Sequence, residues 1–118
     1  MIRQGEVYWV DLDSPVGSGP GYSRPALVVP GDLFNESGIK TIVVFLLTSN
    51  PQRARFPGHV AIPALESGLE RDSVAVPTQL HTLDTGQLRS RSGRISRSRL
   101  TTVMEGIALV LRMEAPGP

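Results

Sequence analysis

Apolar and polar residues alternate along several short stretches of the chain, and this period-two pattern is typical of β-strands. The first stretch covers residues 6–12 and is rich in aromatic and β-branched residues, and the second covers residues 25–29. Between Thr41 and Thr48 the apolar run is almost continuous, which indicates a strand that is buried on both faces. Shorter stretches predict further strands at residues 59–62, 73–76 and 89–95.

The hydrophobic period changes after Ser96, where apolar residues begin to recur every three or four positions. This spacing predicts a helix with one apolar face, formed by Leu100, Val103, Met104, Ile107 and Leu111. The Ser96 hydroxyl can cap the first turn of this helix, and Gly106 weakens the helix locally. Residues 13–23 and 50–58 are predicted to be loops. Many short strands and one packing helix predict a mostly β (α+β) fold, a small and largely antiparallel β-barrel.

The length of 118 residues fits one domain, which we place at residues 1–113, followed by a flexible tail at residues 114–118. The chain contains no cysteine, so disulfides, a thiolate nucleophile and a cysteine-based zinc site are excluded. Its first residues lack the apolar core of a signal peptide, and its longest apolar run, residues 42–47, is too short to cross a bilayer. A cytoplasmic protein without membrane contact is therefore expected.

The net charge of +1 hides an asymmetry between the two parts of the chain. Residues 1–84 carry six basic and nine acidic side chains, whereas residues 85–118 carry six arginines and two glutamates. Five of these arginines follow one another without an intervening acid: Arg89, Arg91, Arg94, Arg97 and Arg99. Clustered arginines suit contacts with phosphate groups, but a solvated basic edge or a surface for an acidic partner would have the same composition.

Metal-dependent and nucleophilic catalysis find little support in the sequence. His59 and His81 lie outside any H-x-x-x-H or E-x-x-H pattern, and no carboxylates cluster around them. Residues 17–22 start like a glycine-rich nucleotide loop, but no helix is predicted after them, and no motif supports a Ser-His-Asp triad. Ordinary strand-surface roles are favoured for both histidines, although acid–base cleavage of RNA by a histidine pair stays open.

The remaining polar residues of the predicted loops are Arg, Ser, Thr, Asn and Gln, which can bind a phosphodiester and stabilise charge on it. RNA carries its own nucleophile, the 2′-hydroxyl. An enzyme that cuts RNA need only orient this hydroxyl, neutralise the phosphorane and help the 5′-oxygen to leave. Such a reaction requires no cysteine, metal or cofactor, and none is expected.

Several segments, in this order, resemble the MazF/PemK family of toxin endoribonucleases from type II toxin–antitoxin systems. They are GEVYWVDL at residues 5–12, Gly17-Ser18 followed by SRPALVV at 23–29, LTSN at 47–50, ESGLERDSV at 66–74 and QLHTLD at 79–84. The resemblance implies an SH3-like β-barrel with a C-terminal helix, of the CcdB/PemK type. It also implies a homodimer that cuts single-stranded RNA at short sequence motifs, with mRNA as the expected target. A protein antitoxin would neutralise it by placing an acidic C-terminal segment in the RNA groove.

By position, Arg24 and Thr48 match the family's catalytic pair. Pro25 disfavours helical backbone at Arg24, so the guanidinium would extend from a fixed strand start. Because arginine deprotonates very reluctantly, a general-base role is disfavoured for Arg24. Our hypothesis is that Arg24 neutralises the phosphorane and passes a proton to the leaving 5′-oxygen, while Thr48 holds a non-bridging oxygen. The products would be a 2′,3′-cyclic phosphate and a free 5′-hydroxyl. From the residues alone, an ion pair of Arg24 with Asp11 or Asp13 is equally compatible.

Further residues match positions that contact RNA in the family. They are Gly17, Ser18 and Gly19 in the first loop, Asn50, Arg53, Arg55, Phe56 and Pro57 in the second, and Ser73, Thr78 and Gln79 along the groove. Phe56 has a face for stacking, and Gln79 has the amide groups that read a base edge. Solvated loop side chains, or a Phe56 folded onto the barrel, would be the plain alternative.

The sequence departs from the family at several positions. Gly19 and Pro20 replace an acidic and an amide residue of many relatives, His81 replaces an arginine, and Thr78 stands where some relatives have an acid. The first and last changes remove groups that could recognise bases. The RNA motif that this chain cuts is therefore not expected to equal that of a relative.

Two other functions compete with RNA cleavage. One is inhibition of DNA gyrase by protein–protein contact, as in CcdB-like proteins of the same fold, which lack the R-P loop and the threonine. The other is an RNA-binding module without catalysis, which predicts binding without product. Assays of gyrase supercoiling and of RNA cleavage separate these readings.

Overall fold

The computed structural model describes residues 1–12 and 22–111 of the chain. Six strands form one antiparallel sheet in the order β4-β5-β3-β2-β1-β6, which curls into a half-barrel. The strands are β1 (Glu6–Leu12), β2 (Tyr22–Val28), β3 (Thr41–Thr48), β4 (Val60–Ile62), β5 (Ser73–Asp84) and β6 (Leu88–Arg94). The helices are α1 (Asp32–Asn35), α2 (Ala64–Ser67) and α3 (Arg97–Leu111), and two 3₁₀ turns lie at Pro51–Arg55 and Thr85–Gln87. The mostly β fold with a C-terminal helix is confirmed.

The predicted strands other than β2 and β5 agree with the observed ones to within one residue. β2 begins at Tyr22, three residues before the predicted start, so Tyr22 and Ser23 belong to a strand and not to the predicted loop. The bounds of β1 and β3 are those predicted, and β3 is buried over most of its length. β5 was predicted to end at Val76 but continues to Asp84, because the proline that follows, Pro77, lies at a break in register rather than at a strand end. Proline is tolerated in a strand at such irregularities.

Both faces of the sheet are covered by apolar side chains, as the alternation along β2 and β3 requires. One cluster contains Val7, Leu27, Phe45 and Leu47, and the partly buried Leu100, Met104 and Ile107 of α3 pack against it. The other cluster lies on the opposite face and contains Val10, Ala26, Val28, Ile42, Val44, Leu46 and Leu83. The first cluster packs α3 against one face of the sheet, and its member Leu47 also lines the cavity described below.

α3 starts where the change of hydrophobic period predicted. The Ser96 hydroxyl accepts a hydrogen bond from the Arg99 amide (3.1 Å), which is the expected N-terminal cap. Gly106 permits a close approach, because a Cβ at that position would lie 2.4 Å from the carbonyl oxygen of Gly58. No helix in the described ranges has the length and apolar character needed to span a membrane.

Glu66 of α2 joins this short helix to the start of α3. Its carboxylate accepts a hydrogen bond from the Ser96 amide (2.8 Å) and pairs with Arg99 (3.1 Å). The bond from the Ser96 backbone, followed by the hydrogen bond and charge of Arg99, holds the pKa of Glu66 below its usual value against the opposing effect of partial burial.

The lowered pKa of Glu66 predicts a loss of stability in acid. A carboxylate whose folded-state pKa is depressed stabilises the fold above its unfolded pKa, about 4.3, and this contribution disappears as the pH falls through the lower folded value. We expect the free energy of unfolding to drop less steeply in Glu66→Gln than in the wild type below about pH 4.3. Urea titrations between neutral pH and pH 3 measure this difference, and parallel curves for the two proteins would contradict it.

Candidate functional site

Arg24 and Thr48, the predicted catalytic pair, lie beside each other where β2 begins and β3 ends. Arg24 is partly buried, and its Nη2 atom donates a hydrogen bond to the carbonyl oxygen of Leu47 (3.0 Å), the residue before Thr48. The alternative ion pair with Asp11 is absent, because Asp11 accepts a hydrogen bond from the Ser23 hydroxyl (3.0 Å) and pairs with Arg89. The hydrogen bond from Arg89, and then that from Ser23, lower the pKa of Asp11. Asp13 lies outside the described residues.

Both side chains line one open cavity of about 700 Å³ at the surface of the half-barrel. Its other lining residues come from β1, β2, β3, residues 49–58, the segment before β5 and β5 itself: Trp9, Pro25, Leu47, Ser49, Arg53, Leu69, Glu70, Arg71, Ser73 and Gln79. Three arginines and one glutamate therefore face the same space. This charge balance suits a negatively charged ligand that carries phosphate groups.

Three polar atoms of lining residues are buried without a hydrogen-bond partner among the described residues. They are Arg53 Nε, Ser73 Oγ and Gln79 Oε1. An unsatisfied buried polar group costs about 1–3 kcal/mol, so its presence calls for an explanation such as a ligand. All three atoms belong to cavity-lining residues that the family resemblance assigned to RNA binding.

A bulge in β5 positions Gln79. Phe45 of β3 pairs with Leu80, but two residues further along β3 Leu47 pairs with Ala75, so that the intervening part of β5 is longer than the strand opposite. Bulges re-aim side chains and are frequent next to functional sites. Pro77 lies within this bulge, where β5 does not pair regularly with β3. The proline therefore neither ends the strand nor removes a hydrogen bond from the ladder.

Other predicted RNA-contacting residues lie outside the cavity lining. The Asn50 side chain caps the 3₁₀ turn by accepting a hydrogen bond from the Gln52 backbone amide (3.1 Å), and the Asn50 backbone amide donates to Thr48 Oγ1 (3.3 Å). The ring of Phe56 lies 6.0 Å and 5.9 Å from the guanidinium carbons of Arg53 and Arg55. Pro57 and Thr78 are exposed. Gly17, Ser18 and Gly19 fall outside the described residues.

Seven lining residues were given no catalytic or RNA-binding role from the sequence: Trp9, Pro25, Leu47, Ser49, Leu69, Glu70 and Arg71. Trp9 pairs with Pro25 across the β1–β2 ladder, which explains how an aromatic residue of β1 reaches the cavity beside Arg24. Glu70 and Arg71 follow the left-handed Gly68 (φ 74°) that ends α2. The sequence showed only that a tryptophan lies in a predicted strand. Its location beside the cavity follows from the pairing of β1 with β2.

The histidines lie away from the cavity lining. His59 precedes β4, with its ring centroid 5.7 Å from that of Phe56, and His81 lies on β5 opposite Val44. Acid–base cleavage by a histidine pair thus lacks a site at the cavity. Within residues 1–12 and 22–111, no three His, Asp or Glu side chains are grouped so that they could hold a metal ion.

The arginine-rich C-terminal part is largely engaged in ion pairs. Arg89 pairs with Asp11, Arg91 with the buried Glu6 (2.9 Å) and Arg99 with Glu66 (3.1 Å). Arg94 and Arg97 are exposed. Three of the five arginines therefore contact acidic residues of the fold, and none of the five is among the residues that line the cavity.

The chain matches known proteins over almost its whole length. Residues 3–111 match the family described as PemK-like, MazF-like toxin of type II toxin–antitoxin system. Endoribonuclease MazF6 of Mycobacterium tuberculosis is 39% identical over 111 residues, which cover 94% of this chain and 97% of the relative. Endoribonuclease EndoA of Bacillus subtilis is 34% identical over 113 residues, covering 96% and 97% of the two chains.

Solved structures share the fold at lower identity. An endoribonuclease from a mycobacterial species, in complex with its cognate antitoxin, superposes with a TM-score of 0.77 at 22% identity, covering 98% of this chain and all of that one. The Mycobacterium tuberculosis toxin MazF-mt6 superposes with a TM-score of 0.76 at 17% identity, covering 93% and 99%. The solved structures show the shared fold, and the family match together with the curated relatives establishes that the chain belongs to the PemK-like, MazF-like toxins of type II toxin–antitoxin systems.

Proposed function

We propose that this chain is a toxin endoribonuclease that cuts single-stranded RNA, with mRNA as its target, by using the 2′-hydroxyl of the substrate as nucleophile. The observation that carries the proposal is the placement of Arg24 and Thr48 on the wall of one open cavity, with the guanidinium held at the carbonyl of Leu47. The relatives named above are endoribonucleases, which agrees with this chemistry.

The reaction needs groups that bind charge rather than a nucleophile from the protein. The 2′-oxygen attacks phosphorus, the bond from phosphorus to the 5′-oxygen breaks, and the 2′-hydroxyl proton passes to solvent. Arg24 neutralises the phosphorane and gives a proton to the leaving 5′-oxygen. Solvent then returns a proton to Arg24. The Thr48 hydroxyl donates to a non-bridging oxygen. The products are a 2′,3′-cyclic phosphate and a 5′-hydroxyl, and no step requires a metal ion.

RNA recognition is assigned to the other lining residues. The unsatisfied Ser73 Oγ and Gln79 Oε1 are suited to base edges, and Arg53 is suited to a phosphate. Arg55, Phe56, Pro57, Asn50 and Thr78 lie outside the cavity lining, so we assign them to nucleotides farther from the cut. Gly17, Ser18 and Gly19 keep their predicted role in the first loop.

Two protein partners belong to the proposal. One is a cognate antitoxin, whose acidic segment would fill the same cavity because Arg24, Arg53 and Arg71 line it. The other is a second copy of the chain. An apolar groove of about 340 Å³ between α1, β5 and α3, with the exposed Phe34, Leu80 and Leu111 at its edge, supports such a homodimer. Activity on cellular mRNA would place the protein in the cytoplasm.

The test is cleavage of a long RNA by the purified protein in excess EDTA, followed by mass spectrometry of the fragment ends. We expect cuts at a short recurring sequence, with 2′,3′-cyclic phosphate and 5′-hydroxyl ends. Intact RNA, or fragments with 5′-phosphate ends, would contradict the proposal. A gyrase supercoiling assay with the same preparation tests the CcdB-like alternative and is expected to show no inhibition.

Trp9 provides a direct measure of RNA binding at the cavity. It is the only tryptophan of the chain, it is 38% exposed and it lines the cavity near Arg24. If a base stacks on the indole, a cleavage-resistant 2′-O-methyl oligonucleotide will quench the fluorescence. Loss of stacking costs about 1–3 kcal/mol per base, so Trp9→Ala should weaken binding about 5–150-fold.

Tyr22 offers a matched control for this experiment. It is also an exposed aromatic residue (49%) but is absent from the cavity lining, so Tyr22→Ala should bind the oligonucleotide like the wild type. Saturable binding without a change in tryptophan emission, and equal affinities for the Trp9 variant and the wild type, would show that the RNA avoids this wall of the cavity.

A further inference from the structure

The ladder between β2 and β3 stops earlier than the strands themselves. Its pairs end at Ala26 and Leu46, although β2 begins at Tyr22 and β3 continues to Thr48. Continuing the register by one residue places Pro25 opposite Leu47. The missing pair therefore lies at the wall of the cavity.

The physical cause of this early end is Pro25. Along an antiparallel ladder, hydrogen-bonded and non-hydrogen-bonded pairs alternate. The Val29 amide donates to the Val43 carbonyl (3.5 Å), so the hydrogen-bonded positions of β2 are residue 29, residue 27 and residue 25. Residue 25 is a proline and has no N–H, so the ladder bond that would reach the carbonyl of Leu47 is absent.

Arg24 occupies the acceptor that Pro25 leaves free. Its Nη2 atom donates to the Leu47 carbonyl oxygen (3.0 Å), in place of the missing backbone amide. Guanidinium groups carry five N–H donors in a rigid fork, so one bond to the backbone fixes the group and leaves other donors for a ligand. The same register, continued by one more residue, places Arg24 opposite Thr48.

We propose that Pro25 is a positioning residue for catalysis: by withholding a backbone N–H, it leaves the Leu47 carbonyl free to hold the Arg24 guanidinium beside Thr48. This inference rests on the proposed function. It assigns the proline a role through hydrogen bonding, in addition to the restriction that it places on the backbone of Arg24. An ordinary residue at position 25 would complete the ladder and displace the guanidinium.

The first test is Pro25→Ala, which introduces the missing amide. Because a displacement of about 1 Å can cost about 10²-fold in rate, we expect kcat to fall about 10²-fold, while the affinity for a 2′-O-methyl oligonucleotide stays close to that of the wild type. In hydrogen-exchange NMR, the amide introduced at position 25 should exchange slowly because it donates to Leu47. A wild-type kcat, or rapid exchange of this amide, would overturn the inference.

A second variant separates the N–H from the proline ring. N-methylalanine, introduced at position 25 by chemical ligation, lacks both the ring and the N–H, so it should restore most of the activity that Pro25→Ala loses. Equal losses in the two variants would show that the ring matters and would overturn the inference. Pro63→Ala removes a proline before α2, away from the cavity lining, and is expected to keep the wild-type kcat.

Failure of the Pro25 inference and failure of the proposed function give different results. If the wild type does not cut RNA, the proposed function fails, yet the slow exchange of the amide at position 25 still reports whether the ladder bond forms. If the wild type cuts RNA, the Pro25 variants decide the positioning role. In an Arg24→Ala background, Pro25→Ala should cause no further loss of kcat, because the group that it displaces is already gone. An additive loss would contradict the inference.

Discussion

Replacing Arg24 with alanine is expected to slow RNA cleavage by about 10²–10³-fold, the usual effect of removing one donor that stabilises a transition-state charge. The structural cost should be small. Among residues 1–12 and 22–111, this side chain makes one hydrogen bond, to the Leu47 carbonyl, and a bond of this kind contributes about 0.5–1.5 kcal/mol. The measurement is kcat/KM on an RNA that contains the mapped cut site, with circular dichroism and urea unfolding to verify the fold.

Arg97→Ala provides the matched control for the loss of charge. Arg97 is an exposed arginine at the start of α3 and is not among the residues that line the cavity, so its removal changes the net charge equally. We expect this variant to cut RNA at nearly the wild-type rate. If both variants lose activity alike, general charge attraction of RNA explains the effect, and if Arg24→Ala remains fully active, Arg24 has no catalytic role.

Gly68→Ala is expected to destabilise the fold by about 3 kcal/mol or more, because left-handed strain of about 1–2 kcal/mol adds to a steric clash of about 1–3 kcal/mol. Gly68 has a φ of 74°, and a Cβ built on it would lie 1.8 Å from the carbonyl oxygen of Ser92 in β6. This close contact fixes the segment that carries Leu69, Glu70 and Arg71 into the cavity. The variant should therefore lose RNA cleavage together with stability.

Two other glycines separate the contributions to this loss. Gly38 also has a positive φ (85°), but a Cβ there meets no atom within 4 Å, so Gly38→Ala should cost only the strain, about 1–2 kcal/mol. Gly86 has neither a positive φ nor a close neighbour, so Gly86→Ala should leave stability almost unchanged. Urea unfolding measures all three, and a Gly68→Ala variant no less stable than Gly38→Ala would show that α2 and β6 can move apart freely.

The sequence predicted the regular part of the fold because its signals are local. β1 and β3 show alternation or a continuous apolar run, and the capping hydroxyl of Ser96 precedes a helical period. β5 was predicted too short because Pro77 is a local signal for a strand end, whereas the bulge that accommodates it depends on pairing with β3. The short helices α1 and α2 were not predicted, since four residues carry no detectable period.

The candidate site was predictable only in part for the same reason. The resemblance of its segments to the family indicated Arg24, Thr48, Arg53, Ser73 and Gln79, and the structure gathers these around one cavity. Trp9, Glu70 and Arg71 reach the cavity through strand register and the left-handed turn at Gly68, which no single segment encodes. The bond from Arg24 to Leu47 likewise depends on two strands and on the N–H that Pro25 lacks.

A single 2′-deoxy substitution at the mapped cut site tests most directly whether the ribose attacks its own phosphodiester. Removal of this hydroxyl deletes the nucleophile and leaves the phosphate and the flanking bases in place. We predict that cleavage at this site is abolished, while the substituted RNA still quenches Trp9 fluorescence with an affinity close to that of the unmodified sequence. Continued cleavage at the deoxy position would contradict the mechanism, because the nucleophile would then have to come from water or from the protein.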